Sequence, residues 1–173
     1  LEEEVMTVIF DPTVMAKKVN SVTGQDLCLT SACNYYENVT QAEAEAWYAA
    51  HKDNSPEPKW IGLNSKLTKN EQGEVIERVF KATEDGLYRE ALVHVVENLE
   101  KALVYAENDK QREVISKLIE FNKTGDLTTF KQYAIAWVQD LDSRVDFVNG
   151  FTEVYGDPLG VTGAWESLVN FKD

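Results

Sequence analysis

Apolar residues recur at three- and four-residue steps through the middle of the chain, which predicts helices with one buried face each. The first helical run begins near Leu87. Its apolar positions, which the spacing predicts to share one buried face, are Tyr88, Ala91, Leu92, Val95, Leu99, Ala102, Leu103 and Ala106.

Two further helices follow directly. Asn108 or Asp109 can cap the first of them, Gly125 can end it, and Asp126 can cap the next. Their predicted inward residues are Val114, Ile115, Leu118 and Ile119 in one helix, and Phe130, Tyr133, Ala134, Trp137 and Val138 in the other.

On both sides of these helices the pattern changes to short runs typical of strands. "WIGLNSKLTKNEQGEVIERVFKA" reads as a hairpin around the turn "NEQG". Near the C-terminus, "RVDFVNGFTEVY" and "GAWESLVNF" read as two more strands joined by "GDPLGVT". The sequence therefore predicts two β-hairpins with helices between them.

The N-terminal part shows weaker periodicity but clear capping residues. Asp11-Pro12 predicts the start of a helix that runs to about Asn20, with Phe10 and Met15 as a hydrophobic staple. Thr40 and Glu43 form a capping box before the helix-forming run "QAEAEAWYAAH". The two prolines of "KDNSPEPK" then predict a loop.

These elements predict an α+β fold made of helices, one or two β-hairpins and an inserted helical hairpin. Residues 1–86 would form an N-terminal helical segment and a first hairpin, residues 87–143 a helical segment, and residues 144–173 a second hairpin.

The charge balance narrows the range of partners. The formal net charge is −13, which disfavours nonspecific binding to nucleic acid or anionic membranes because both require clustered Lys and Arg. No apolar run approaches the ~18 residues of a membrane span. Cys28 and Cys33 make no metal-binding pattern, and they can be free or bridged.

The two ends, "LEEEVMTV" and "WESLVNFKD", both read as internal sequence. We therefore expect a fragment of a longer, soluble protein. Its compartment, cytoplasmic or periplasmic in a bacterium, stays open.

Metal and nucleophile motifs are not recognisable in the sequence. His94 lacks the second histidine that a helical zinc motif places four residues later, and His51 is placed to interact with a helix end. No Gly-x-Ser-x-Gly or phosphate-binding loop occurs. We expect this chain to hold no zinc site.

The stretch "FVNGFTEVYGDPLG" offers the best candidate chemistry. Strand alternation predicts that Asn149 and Phe151 share a face with Glu153 and Tyr155. A partly desolvated Glu153 could bind a cationic amine, Tyr155 could donate to a carbonyl, and Gly156 could admit a ligand backbone. Spacing alone favours a plainer interpretation, in which Glu153 forms a salt bridge within the fold.

The residues Gly150, Phe151, Glu153, Tyr155, Asp157, Pro158 and Gly160 form the pattern Gly-Phe-x-Glu-x-Tyr-x-Asp-Pro-x-Gly. This pattern resembles a segment of the dipeptidyl peptidase III family, zinc enzymes that release dipeptides from peptide N-termini. The resemblance is strong from Leu87 onward and weaker before it, and it is closest to bacterial, Bacteroides-like members.

The resemblance implies a two-lobed parent enzyme with a β-barrel core in one lobe and zinc in the other, helical lobe. It implies that Glu153 holds the substrate's free amine and that Tyr155 contacts the scissile peptide and helps stabilise the transition state. Asn149 and Gly156 complete the expected substrate contacts. Animal members carry Ser and Arg at the positions of Val154 and Gly156, so the outer contacts of the cleft differ.

The resemblance also implies that the zinc motif lies outside this chain. We therefore expect the isolated chain to bind no zinc and to hydrolyse nothing, although zinc is the parent's cofactor. Its partners would be the peptide substrate and the remainder of the parent chain. If the hairpins belong to a barrel completed elsewhere, their unpaired edges favour an edge-strand dimer of the fragment.

Two other functions remain open at this point. The chain could be a stand-alone, non-catalytic peptide-binding or interaction module. A carboxylate-based glycosidase is a further alternative, and it would require a second acid near Glu153 in space.

Overall fold

The structure is a computed structural model that describes residues 1–14 and 16–172. These residues form six helices and four strands, which confirms the predicted α+β class. In chain order they are α1 Glu2–Phe10, α2 Leu27–Thr30, α3 Gln41–His51, β1 Ser65–Lys69, β2 Val75–Val79, α4 Arg89–Leu103, α5 Asp109–Thr124, α6 Leu127–Gln139, β3 Val145–Glu153 and β4 Ala164–Phe171.

The prediction for the N-terminus is wrong. Helix α1 precedes Asp11, and Asp11 ends that helix instead of starting another. The Asp11 carboxylate accepts hydrogen bonds from the backbone N–H of Thr13 at 2.8 Å and from its hydroxyl at 2.6 Å. This local turn competes with helix formation. Phe10 is 71% exposed, and Met15, the other half of the predicted staple, lies outside the described residues.

Helix α3 begins as predicted. Thr40 and Glu43 form the reciprocal capping box, and the helix runs to His51. The His51 ring lies against Trp47, with 4.0 Å between ring centroids, and its Nδ1 is 2.8 Å from the Trp47 carbonyl oxygen. The loop with two prolines follows, also as predicted.

The first hairpin, β1–β2, is antiparallel and its turn is tightly fixed. The Asn70 side chain accepts hydrogen bonds from the N–H groups of Gln72 and Glu74. Leu67 of β1 also exchanges backbone hydrogen bonds with the chain around Tyr36, from Leu67 N–H to the Tyr35 carbonyl and from Glu37 N–H to the Leu67 carbonyl, both 2.9 Å long. Tyr36 is therefore held beside the first hairpin.

The helical insertion consists of the three helices that the periodicity predicted, with α5 in contact with both α4 and α6. The caps at Asn108, Gly125 and Asp126 lie where they were predicted. The inward face of α5 is confirmed: Val114, Ile115, Leu118 and Ile119 are buried.

The predicted faces of α4 and α6 are partly wrong. Helix α4 buries Leu92 and Val96, while Tyr88, Ala91 and Ala102 are exposed. Val96, which the spacing did not assign to the buried face, packs with Ile115 and Ile119. On α6, Ala136 is buried and Val138 is 64% exposed.

In the second hairpin, β3–β4, only strand β3 packs against the helices. Phe147 and Phe151 of β3 pack into the helical core, whereas Leu168, Val169 and Phe171 of β4 are more than 60% exposed. Among the described residues the two hairpins are separate two-stranded sheets, so no barrel closes within this part of the chain. None of the described helices is long and apolar enough to span a bilayer.

Candidate functional site

A β-bulge changes the predicted face of Glu153. Phe151 pairs with Trp165, but Glu153 pairs with Ala164, the residue immediately before Trp165. Because paired residues share a face and neighbours along a strand alternate, Glu153 lies on the opposite face from Phe151. The prediction that Glu153 continues the aromatic row is therefore wrong.

The Glu153 side chain is exposed, not partly desolvated as predicted. In the described part of the chain, no Lys or Arg nitrogen lies within the 4.0 Å of an ion pair with it. The plainer interpretation, a salt bridge within the fold, finds no partner there. Its carboxylate is open to a cation from outside this fold.

Tyr155 follows the strand and is 69% exposed. Its hydroxyl donates a long hydrogen bond of 3.4 Å to Glu166 Oε1. The ammonium of Lys18 lies 6.0 Å from the centre of its ring, at the outer limit of a cation–π contact. The phenol is therefore held only loosely and can reach a ligand.

Gly156 is buried, in contrast to Glu153 and Tyr155, which are exposed. A Cβ built on Gly156 would lie 3.6 Å from the Tyr35 hydroxyl and 3.7 Å from the Lys18 ammonium. A ligand backbone could approach this glycine only after Lys18 moved aside.

Asn149 is not brought together with Glu153 and Tyr155. It lies four residues earlier on β3, roughly 13 Å along the strand, on the face of Phe151. Its amide nitrogen donates to the Ser167 hydroxyl at 3.0 Å. Its Oδ1 is buried and has no hydrogen-bond partner among the described residues.

Asp157 organises this loop, a role that no local sequence signal indicated. It is 4% exposed, and its carboxylate accepts from the Tyr36 hydroxyl at 2.9 Å. It also accepts from the backbone N–H groups of Leu159, Val161 and Thr162, at 2.9, 2.9 and 2.6 Å. The Asp-Pro pair predicted a turn, but the partner that buries this carboxylate lies 121 residues away.

Two tyrosines near this loop have raised pKa values. Burial raises the pKa of Tyr48 to about 12. Burial also raises the pKa of Tyr36, and the negative charge of Asp157 adds to the effect. Both phenols therefore keep their protons at neutral pH, and Tyr36 can donate its proton to the buried Asp157 carboxylate.

The described residues do not offer a zinc site. Outside Met15 and Asp173, no three His, Cys, Asp or Glu side chains come close enough to hold a metal ion. His94 lies 3.2 Å from Glu97 on an exposed helix face. Cys28 and Cys33 are both free, and burial raises the pKa of the Cys28 thiol to about 12.

Comparison with known proteins identifies the family of this chain. The profile of peptidase family M49 matches residues 61–173, well over half of the chain. The chain belongs to peptidase family M49. Membership in a peptidase family removes the basis for the glycosidase alternative.

The curated M49 relatives are dipeptidyl peptidases 3. This chain is 37% identical over 108 residues to the mouse enzyme, a match that covers 62% of this chain and 14% of the relative. It is 38% identical over 84 residues to the human enzyme. That match covers 49% of this chain and 11% of the human enzyme. The chain thus spans only a small part of the length of these M49 relatives.

Two solved structures have the same fold. Dipeptidyl-peptidase III from Corallococcus sp. strain EGB matches with a TM-score of 0.65 and 19% identity, covering 99% of this chain and 31% of that one. DPP III from Caldithrix abyssi matches with a TM-score of 0.64 and 21% identity, covering 94% and 30%. Residues 1–60, which the M49 profile does not match, are thus largely included in the fold match.

Proposed function

We propose that this chain is part of a dipeptidyl peptidase that releases dipeptides from peptide N-termini, and that it contributes one wall of the substrate cleft. Glu153 would bind the free amine of the substrate. Tyr155 would donate a hydrogen bond to the carbonyl of the scissile peptide and to the oxyanion that develops on it.

The observation that carries this proposal is the openness of the Glu153 carboxylate. It stands at the end of a strand whose preceding residues pack on the helices, yet it has no cationic partner among the described residues. A peptide's α-amine is a cation of suitable size, and it would form a charge-assisted hydrogen bond there.

Tyr155 supports the same assignment. Its hydroxyl makes only a long hydrogen bond to Glu166 within this fold, so a substrate carbonyl can replace that contact at little cost. Asn149 lies on the other face of β3 and its Oδ1 is buried, so it could contact the same peptide only after a local rearrangement. Gly156 would contribute only after Lys18 moved.

Peptidases of family M49 generally depend on zinc. The described residues provide no donor set for it, so the chemistry of this chain is limited to binding and orienting the peptide. We expect the isolated chain to show no hydrolysis, with or without added zinc, and the parent peptidase to require the metal.

The Tyr155→Phe variant of the whole peptidase tests the proposal. We expect kcat to fall by about 100-fold with little change in KM, because the lost contact is made mainly in the transition state. Steady-state kinetics on a dipeptide-releasing substrate measures both constants.

Tyr105→Phe is the matched control, since Tyr105 is also exposed but lies just beyond the end of α4. It should leave both constants unchanged. An unchanged kcat in Tyr155→Phe, with or without a change in KM, would contradict the proposed role.

A further inference from the structure

Asp157 is a buried acid in the loop between β3 and β4. It lies two residues after Tyr155 and four after Glu153, and both of those side chains are open to solvent. We propose that Asp157 is a positioning residue: together with Tyr36 it holds the loop that presents Glu153 and Tyr155 to the peptide. This inference rests on the proposed function for the roles of Glu153 and Tyr155.

The Asp157 carboxylate accepts hydrogen bonds from the loop residues that follow it and from Tyr36. Oδ1 accepts from the N–H of Leu159, and Oδ2 accepts from the N–H groups of Val161 and Thr162. The Tyr36 hydroxyl is 2.9 Å from both oxygens. A buried charge is costly unless hydrogen bonds compensate it, and here they do so without a Lys or Arg in ion-pair contact among the described residues.

The backbone of Asp157 fixes the turn at the site itself. Its N–H donates to the Val154 carbonyl at 3.0 Å, and its carbonyl accepts from the N–H of Gly160 at 3.0 Å. Val154 lies between Glu153 and Tyr155, so one residue ties down the chain between the two proposed ligand-binding side chains. Movement of Asp157 would therefore displace both.

Tyr36 gives this arrangement a rigid base. It is 7% exposed and packs with Cys28, Val39, Ala44 and Leu67. Its backbone neighbours are hydrogen-bonded to Leu67 of β1. Tyr36 belongs to residues 1–60, which the M49 profile does not match, so the site would be supported by a segment outside the matched region.

Hydrogen exchange in the Asp157→Asn variant of this chain tests the loop support. An asparagine side chain has one acceptor oxygen, and its NH2 group would face backbone donors. We expect amide exchange at Leu159, Val161 and Thr162 to become about tenfold faster or more, because loss of such a bond to a charged group has an effect of that size. Amides of α5 should be unchanged.

Asp26→Asn is the matched control. Asp26 also accepts from two backbone N–H groups, those of Leu29 and Gln41, but it does not contact this loop. If Asp157→Asn prevents folding, Tyr36→Phe removes only the phenol donor and should accelerate the same amides less strongly. Unchanged exchange at the three amides, in whichever variant folds, would overturn the proposal.

Peptide binding separates positioning from a general effect on stability. In the whole peptidase, Asp157→Asn should weaken the binding of a free-amine peptide about tenfold and leave its N-acetylated form little changed, as expected if it acts through Glu153. Equal weakening of both forms, or no weakening despite faster exchange, would overturn the positioning role. If the unmodified peptidase does not distinguish the two forms, the proposed function fails, while the exchange data still test the loop support.

Discussion

The two hairpins of this molecule have the same strand arrangement but different surroundings. In the first, Leu67 and Ser65 of β1 are almost completely buried, and the turn is fixed by Asn70. In the second, β3 packs on the helices, while Leu168 and Val169 on β4 are exposed. In the first hairpin β1 is enclosed within this chain and β2 exposes only alternate residues, whereas the second half of β4 is exposed throughout.

The difference separates a structural hairpin from one that carries a site. The second hairpin contains the bulge before Glu153, an exposed carboxylate with no described cationic partner, and the buried Asp157. Its apolar outer strand and free edge are also where we expect the remainder of the parent chain, or a second copy of the fragment, to pair.

Alanine substitutions should produce the largest contrast between the hairpins. Leu67→Ala, at a position with 0% exposure, should lower the free energy of unfolding by about 2–5 kcal/mol. Leu168→Ala, at 67% exposure, should change it by no more than about 0.5 kcal/mol. Urea unfolding of this chain, followed by circular dichroism, measures both.

Similar losses from the two substitutions would contradict the comparison. They would mean that β4 is covered in solution, and the concentration dependence of the unfolding midpoint would then identify self-association as the cause.

A smaller effect concerns the anchoring of the first hairpin to α3. Lys69 of β1 lies 2.7 Å from Glu43, and this contact, with the Thr40 cap, lowers the pKa of Glu43 from 4.5 to about 2. Because the folded pKa is depressed, the contact stabilises the fold above about pH 4.5, and this stabilisation is lost as the pH falls towards 2.

The Glu43→Gln variant should therefore lose less stability than the unmodified chain between about pH 4.5 and 2. Urea midpoints across that range provide the measurement. Glu45→Gln, a substitution on the same helix, should leave the dependence of the urea midpoint on pH as it is in the unmodified chain. The same dependence in Glu43→Gln would show that the contact is not formed in solution.

Local signals were sufficient for much of the fold. The caps at Thr40, Asn108 and Asp126 each depend on a residue within a few positions, so the starts of α3, α5 and α6 could be predicted. Asp11 shows the limit of this reasoning, because the same residue type formed a turn with Thr13 instead of a helix cap.

Features that depend on distant partners could not be predicted. The bulge at Glu153 is set by pairing with β4, and it reverses the face that simple alternation gives. The burial of Asp157 depends on Tyr36, and the orientation of α4 depends on Ile115 and Ile119. The sequence could therefore identify Glu153 and Tyr155 as candidates, but not the support beneath them.

The central claim is that Glu153 binds the free amine of a peptide, and one comparison tests it most directly. The affinities of one peptide and its N-acetylated form are measured for the whole peptidase and for its Glu153→Gln variant. We predict that the unmodified enzyme prefers the free amine by about tenfold or more, and that the variant loses most of this preference. An equal preference in both proteins would contradict the claim.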